Sequence, residues 1–398
     1  MKTLFCVYGS AGDILPYMAV AESLRGEGAD PQFLTDRWLS LYPRSAGFRS
    51  NVVGTSSEKR VLEDSDLFST RFQGLDSRRR LFCRYVLPFL DDNYIAIRDQ
   101  IRDIAPDLIV TSPLGLWGAL VAAELDIPHV ALHLYPDLLN LLDRTARERD
   151  WRFALPLARW LEAFEDRIGY PSTSIPAVSW GSTGTPLLLT HDPVLVDQPP
   201  AGAKCVGFPY WDRVLGSTDE QTAEAQRFLS ESQDPTLIVC LGSFIGLREP
   251  LFWKEVSDYV NRIDARALLV GVPEDIRTEI QGPNVRVFGY LQMSKISPLA
   301  DVVIHHGGIG TMYGVLQAGV PAVVVPRAFD QPFNASVLAK AGGGQQMENE
   351  SAEAICDAAI ALARDSRAKM QAEQLSSLLV PPDLACSTIV GVLLNAGG

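Results

Sequence analysis

A histidine pair, a run of glycines and a threonine make the most chemically suggestive stretch of the chain. In DVVIHHGGIGTMYGVLQAGVPAVVVPRAFDQPFNA, Asp301 to Ala335, an apolar strand-like run ends at His305–His306. A turn containing Gly307, Gly308 and Gly310 follows, and Thr311 opens a helical pattern. Glycines there let backbone approach a ligand closely. The helix start offers free N–H groups and about half a positive charge, which suits a diphosphate. His306 and the Thr311 hydroxyl can each donate a hydrogen bond to a phosphate oxygen. The plainer alternative is a tight strand-to-helix turn capped by Thr311. Farther along, the next strand ends at Pro326 and Asp330-Gln331-Pro332 follows. A carboxylate beside an amide can accept paired hydrogen bonds from the vicinal hydroxyls of a hexose. Alone, the tripeptide is an ordinary loop; at the carboxyl end of a neighbouring strand it faces the same crevice as the glycine turn.

The second concentration is GSAGDILP, Gly9 to Pro16. It lacks the lysine of a P-loop, and its G-x-x-G spacing is not a dinucleotide fingerprint. Asp13 precedes a helical pattern over Tyr17–Arg25. It can be the helix N-cap, a role worth about 1 kcal/mol, or a general base. The helix end favours its ionised form, which makes it a weak base suited to late proton transfer. His133, at the end of HVALHLYP, can bind a substrate or assist Asp13, or it can be a core histidine. Asp64-Ser65-Asp66 spells a D-x-D metal clamp, but no apolar strand precedes it and no histidine spacing resembles a zinc site, so no metal is expected.

Strand-length apolar runs place these motifs. In the first half they are Leu4–Tyr8, Gln32–Thr35, Asp107–Thr111, His129–Leu134 and Leu187–His191; in the second, Thr236–Leu241, Ala267–Val270, Val285–Tyr290, Asp301–His305 and Pro321–Val325. Runs rich in Val and Ile without alternation belong to strands covered on both faces, as in parallel sheets. Amphipathic stretches such as Ser77–Arg102 lie between them, so two doubly wound α/β domains are expected. Residues 1–212 form the first and 213–380 the second; 381–398 is a final helix. Ser56–Gln73 is charged and strand-free, and Tyr135–Trp180 is rich in aromatics that can line a pocket or fill a core.

The bulk numbers bound the function. A chain of 398 residues suits two domains, and 47% hydrophobic with 21% charged residues describes a globular protein. A net charge of −13 argues against nucleic-acid binding, whose footprint is basic. The six cysteines are scattered, no run reaches transmembrane length, and the N-terminus lacks a secretory pattern, so a cytoplasmic location is expected.

HHGGIGT followed by GVP and DQP is similar to the donor-binding signature of GT-B glycosyltransferases, in particular the bacterial natural-product, rhamnolipid and sterol branch. GSAGDILP resembles the N-terminal segment of the same branch. The resemblance implies two Rossmann-like domains facing each other across a cleft, with the acceptor on the first and a UDP- or dTDP-sugar on the second. It implies that Gly242, Ser243, His306, Gly307, Gly308, Gly310 and Thr311 hold the diphosphate and that Asp330 and Gln331 hold sugar hydroxyls. Tyr290, Leu291 and Gln292 become candidates for the nucleobase, and Gly12 and Ile14 for the acceptor side. Asp13 becomes the base of an inverting, metal-independent transfer that needs no cofactor beyond the nucleotide sugar. The acceptor would be a hydroxylated, partly hydrophobic small molecule or lipid, and a homodimer is admitted. A GT-B epimerase or hydrolase and a non-catalytic partner protein are the alternatives.

Overall fold

The computed structural model describes residues 1–54, 81–135, 186–196, 199, 202–213, 218–231, 233–242, 246, 249–280, 282–348 and 351–398. The chain divides into two compact units, Met1–Pro209 with Val380–Gly398, and Tyr210–Leu379. Asp64 and Asp66, the Ser56–Gln73 stretch and the aromatic segment beyond Tyr135 lie outside the described residues.

The first unit is built on a seven-stranded parallel sheet in the order β3-β2-β1-β4-β5-β6-β7. Its strands are β1 Lys2–Cys6, β2 Asp30–Thr35, β3 Arg49–Val52, β4 Leu108–Thr111, β5 His129–His133, β6 Leu187–Leu189 and β7 Ala203–Cys205. Helices α1 Ala11–Gly26, α2 Leu41–Ser45, α3 Leu87–Ile104 and α4 Leu116–Glu124 alternate with them. The central strands are covered on both faces: Leu4, Phe5 and Cys6 of β1 and Leu108, Ile109 and Val110 of β4 are wholly buried. Chain direction across the sheet reverses between β1 and β4, where Cys6 pairs with Thr111. Ligands of open α/β sheets bind outside the carboxyl ends of strands at such a switch point.

The second unit repeats the plan with six parallel strands, order β10-β9-β8-β11-β12-β13. They are β8 Thr236–Cys240, β9 Arg266–Val270, β10 Val285–Phe288, β11 Val302–His305, β12 Ala322–Val324 and β13 Gly344–Gln346. The helices are α5 Asp219–Ser230, α6 Pro250–Val260, α7 Glu274–Arg277, α8 Met293–Ile296, α9 Ile309–Ala318, α10 Gln331–Ala341, α11 Ala352–Ala363 and α12 Ser366–Leu378. Here the switch point falls between β8 and β11, with Cys240 paired to His305.

The last helix, α13 Pro382–Gly397, belongs to the first unit, packs on α1 and buries Ile389, Val390 and Leu393. Its entry is pinned where the Val380 N–H donates to the Asp192 carboxylate at 3.0 Å. Gly207, at φ +82°, leaves no room for a side chain there: a Cβ would lie 2.6 Å from that of Val380. Among the described residues one helical stretch, Ser366–Gly397, is long and apolar enough to cross a membrane by length and composition. It breaks at Leu379–Pro381 into α12 and α13, 13 and 16 residues long, whereas one spanning helix needs about 20. Ala368, Ala372 and Leu375 of α12 are buried in the second unit, where the helix packs on α9.

Candidate functional site at two strand-to-helix turns

In the second unit the chain leaves β11 through His305 and His306, turns at Gly307 with φ +89°, and enters α9. Gly308 is the N-cap and so brings no side chain to the helix start, and the first turn holds no acidic residue. The first intrahelical bond runs from the Met312 N–H to the Gly308 carbonyl at 2.9 Å. The amides of Ile309, Gly310 and Thr311 therefore point out of the helix without acceptors within it.

The His306 ring lies between two glycines. A Cβ on Gly242 would come within 2.6 Å of Cε1, and one on Gly308 within 2.4 Å of Nε2. The Nδ1 atom is 3.4 Å from the carbonyl of Cys240, the last residue of β8. A carbonyl only accepts, so Nδ1 carries the proton and Nε2 of the neutral ring keeps its lone pair. Burial lowers the pKa to about 4, against a smaller upward pull from that carbonyl. His305 has the opposite tautomer: its Nδ1 accepts the Gly307 N–H at 3.1 Å, which fixes the turn. Burial, then the neighbouring His306, lowers its pKa to about 3. The Cys240 thiol, pushed up by burial, is opposed by the Gly242 N–H and the Thr311 hydroxyl. The end of β8, the histidine pair and the first turn of α9 therefore converge.

Asp330 and Gln331 sit at the start of α10, behind Phe329, a non-glycine residue at φ +58°. The Asn334 amide donates both to the Asp330 carboxylate at 2.6 Å and to the Gly307 carbonyl at 2.9 Å. That single side chain ties the acidic loop to the glycine turn; the sequence reading missed it. Gln331 is used differently from the expectation that its oxygen accepts from a ligand. Its Oε1 already accepts the N–H groups of Arg327 at 2.8 Å and Ala328 at 2.9 Å, closing the loop. Only its N–H₂ is left to donate. The Tyr290 hydroxyl is 3.5 Å from Asp212, whose other oxygen accepts the Ser294 N–H at 2.8 Å. Leu291 is wholly buried, and half-buried Gln292 is the N-cap of α8. Ser243 lies outside the described residues.

In the first unit β1 leads through Gly9 and Ser10 into α1. The helix begins at Ala11, before the expected Tyr17, and contains Pro16, which has no N–H for the Gly12 carbonyl. Ser10 is the N-cap, so Asp13 is not; it occupies the third helical position and reaches back. Its Oδ2 accepts from the Ser10 N–H at 2.6 Å and the Ser10 hydroxyl at 2.8 Å. This is a capping box with Asp in place of the usual Glu or Gln. Gly9, at φ +132°, must be glycine because a Cβ would lie 2.4 Å from that oxygen. The other oxygen, Oδ1, accepts the Tyr135 hydroxyl at 2.5 Å. Burial raises the Asp13 pKa, and the donors from Tyr135 and Ser10 oppose it. Ile14 is wholly buried and Gly12 half-buried. His133 is buried at the end of β5; burial, then the charge of His129, lowers its pKa to about 3, and its Nδ1 has no hydrogen-bond partner among the described residues. It is a neutral imidazole at physiological pH.

Solved structures of similar fold include glycosyltransferases. SnogD from Streptomyces nogalater superposes with TM-score 0.72 at 22% identity, covering 99% of each chain. The spinosyn rhamnosyltransferase SpnG does so with TM-score 0.75 at 17% identity, covering 99% of this chain and all of that one, and it has also been solved with thymidine diphosphate. The chain has the GT-B fold. Within it, residues 254–380 match the erythromycin biosynthesis protein CIII-like C-terminal domain, which in this GT-B chain spans the glycine turn and the Asp330 loop. A sterol 3-beta-glucosyltransferase of Emericella nidulans is 24% identical over 98% of this chain and 30% of its own length. The chain thus spans about three tenths of such relatives. An uncharacterised protein of Mycobacterium bovis, 24% identical, matches over 88% of this chain and 86% of its own length.

Proposed function

We propose that this GT-B protein is an inverting glycosyltransferase that moves a sugar from a UDP- or dTDP-sugar to a hydroxyl of a sterol-like or natural-product acceptor without a metal ion. The observation that carries the reading is the positive end of α9, which has no side-chain cap and no acid in its first turn, is lined by glycines and is flanked by His306 and Thr311. Free amides and a helix dipole neutralise a departing diphosphate, the task a divalent cation performs elsewhere. Similar proteins, SpnG solved with thymidine diphosphate and a sterol 3-beta-glucosyltransferase, agree with that donor and acceptor class.

Asp13 is the base. The acceptor oxygen bonds to the anomeric carbon and the carbon–oxygen bond to the diphosphate breaks. The electron pair leaves with the diphosphate, and the hydroxyl proton passes to Asp13. Burial makes Asp13 a stronger base than an exposed aspartate, while its donors favour the ionised form. Asp330 accepts from sugar hydroxyls and the free N–H₂ of Gln331 donates to them.

Calorimetric titration with UDP and dTDP, repeated with EDTA present, tests the donor half. Binding of at least one nucleotide, unchanged by EDTA and weakened in His306→Ala, is expected. Absence of binding by either nucleotide, or binding abolished by EDTA, would sink the proposal.

A further inference from the structure

Asp13 reaches both ends of its carboxylate to donors of different origin. Oδ2 is bound twice by Ser10 within the same turn, a local helix-start contact. Oδ1 is bound by Tyr135, which stands just past the end of β5 and 122 positions away in sequence. Nothing in the capping of α1 requires that second donor, since the box is complete on Oδ2. We infer that Tyr135 is a positioning residue for the general base, holding Asp13 so that Oδ1 is the oxygen that takes the acceptor's proton. This rests on the reading of Asp13 as the base.

The geometry assigns the two oxygens separate work. Oδ2 has both of its acceptor directions filled by Ser10, and it is fixed to the helix. A carboxylate oxygen accepts about two hydrogen bonds, so Oδ1, with one from Tyr135, has one direction left. A substrate hydroxyl can take it while the tyrosine remains bonded. Tyr135 also keeps a buried carboxylate ionised, because a donor to the charged form stabilises it against desolvation. Among the described residues, the titratable groups acting on or sensing Asp13 are Tyr135 and Tyr17; the Tyr17 hydroxyl bonds the Leu132 carbonyl, and the Asp13 charge raises its pKa further after burial.

Tyr135→Phe keeps the ring and removes only the donor. With [13C]carboxyl-labelled aspartate, the Asp13 resonance is assigned as the one missing from Asp13→Asn. Its titration midpoint is expected to move to higher pH by roughly one pH unit or more in Tyr135→Phe, since one unit corresponds to about the lower end of what a hydrogen bond to a charged group contributes. UDP and dTDP affinities should stay at wild-type values, which also reports that the variant is folded. With UDP- or dTDP-glucose and a sterol acceptor, the acid limb of kcat should move by the same amount. An unmoved midpoint together with inactive Asp13→Asn overturns this inference alone. Full activity in Asp13→Asn overturns the general-base reading and the inference with it.

Discussion

The helix starts α1 and α9 are built on one plan and finished in opposite ways. Each follows a central strand through a glycine turn at its sheet's switch point. In α1 the positive end is filled from within, by the Asp13 carboxylate bonded to the Ser10 N–H. In α9 the N-cap is glycine and the first turn has no acid, so the end is left for an anion from outside. On the proposed reading, the same local physics yields an anchored base in one unit and an anion receptor in the other. The dipole that attracts a phosphate also holds an aspartate.

Exchanging the two solutions tests this contrast. The largest effect is expected from Asp13→Asn, which removes the internal anion of α1. Transfer should fall by about 10²–10⁴-fold, the usual worth of a general base, while UDP or dTDP affinity is unchanged by calorimetry. Near-normal kcat would detach Asp13 from the chemistry. The converse is Gly310→Asp, which gives α9 an internal anion of its own. A Cβ at Gly310 meets nothing within 4 Å, so the side chain fits. Replacing a helical glycine and adding an acid to the first turn should each contribute about 0.5 kcal/mol of stability, seen as a higher Tm. A like charge about 4 Å from the phosphates opposes binding by as much as ~4 kcal/mol at a near-surface dielectric, so Kd should rise, by up to ~1,000-fold. A more stable variant that binds nucleotide normally would show that α9 is not the receptor.

Much of this was legible in the sequence, and the gaps have physical causes. Buried parallel strands such as TLIVC and VVIH announce themselves because both faces are covered, and every central strand was foreseen. Three of the four edge strands, Arg49–Val52, Ala203–Cys205 and Gly344–Gln346, were not, because they are half-exposed and carry no apolar run, unlike the fourth edge, Val285–Phe288. Their strand character comes from the neighbour they pair with. The start of α1 was misplaced because Gly12 and Pro16 are read as breakers, whereas S-x-x-D is the capping box that overrides them. Asn334 was within reach, being four residues past Asp330 on one helix face. Tyr135 was not, because only the fold brings the residue past the end of β5, two strands away, to the turn after β1. Gln331 opens α10 rather than lying in a loop, and no sequence pattern shows that backbone amides already occupy its oxygen.

The smallest predicted effect concerns protons. With Nδ1 committed to the Cys240 carbonyl, a neutral His306 presents a lone pair at Nε2, which cannot donate to a phosphate. Donation requires the ring to gain a proton, and a bound dianion favours that form. Free, the ring titrates at about 4; bound, its pKa must lie higher. Between the two values binding takes up a proton, so affinity rises as pH falls, by at most about tenfold per unit. Calorimetry of the tighter nucleotide in two buffers of different ionisation enthalpy measures the uptake directly. His306→Gln can donate but not titrate, and the nucleotide's own phosphate protonation is common to both proteins. The wild type should take up more protons than the variant and gain affinity over it as pH falls from 8 to 5.5. Equal uptake in the two proteins would mean that His306 stays neutral in the complex and that the amides of α9 carry the charge alone.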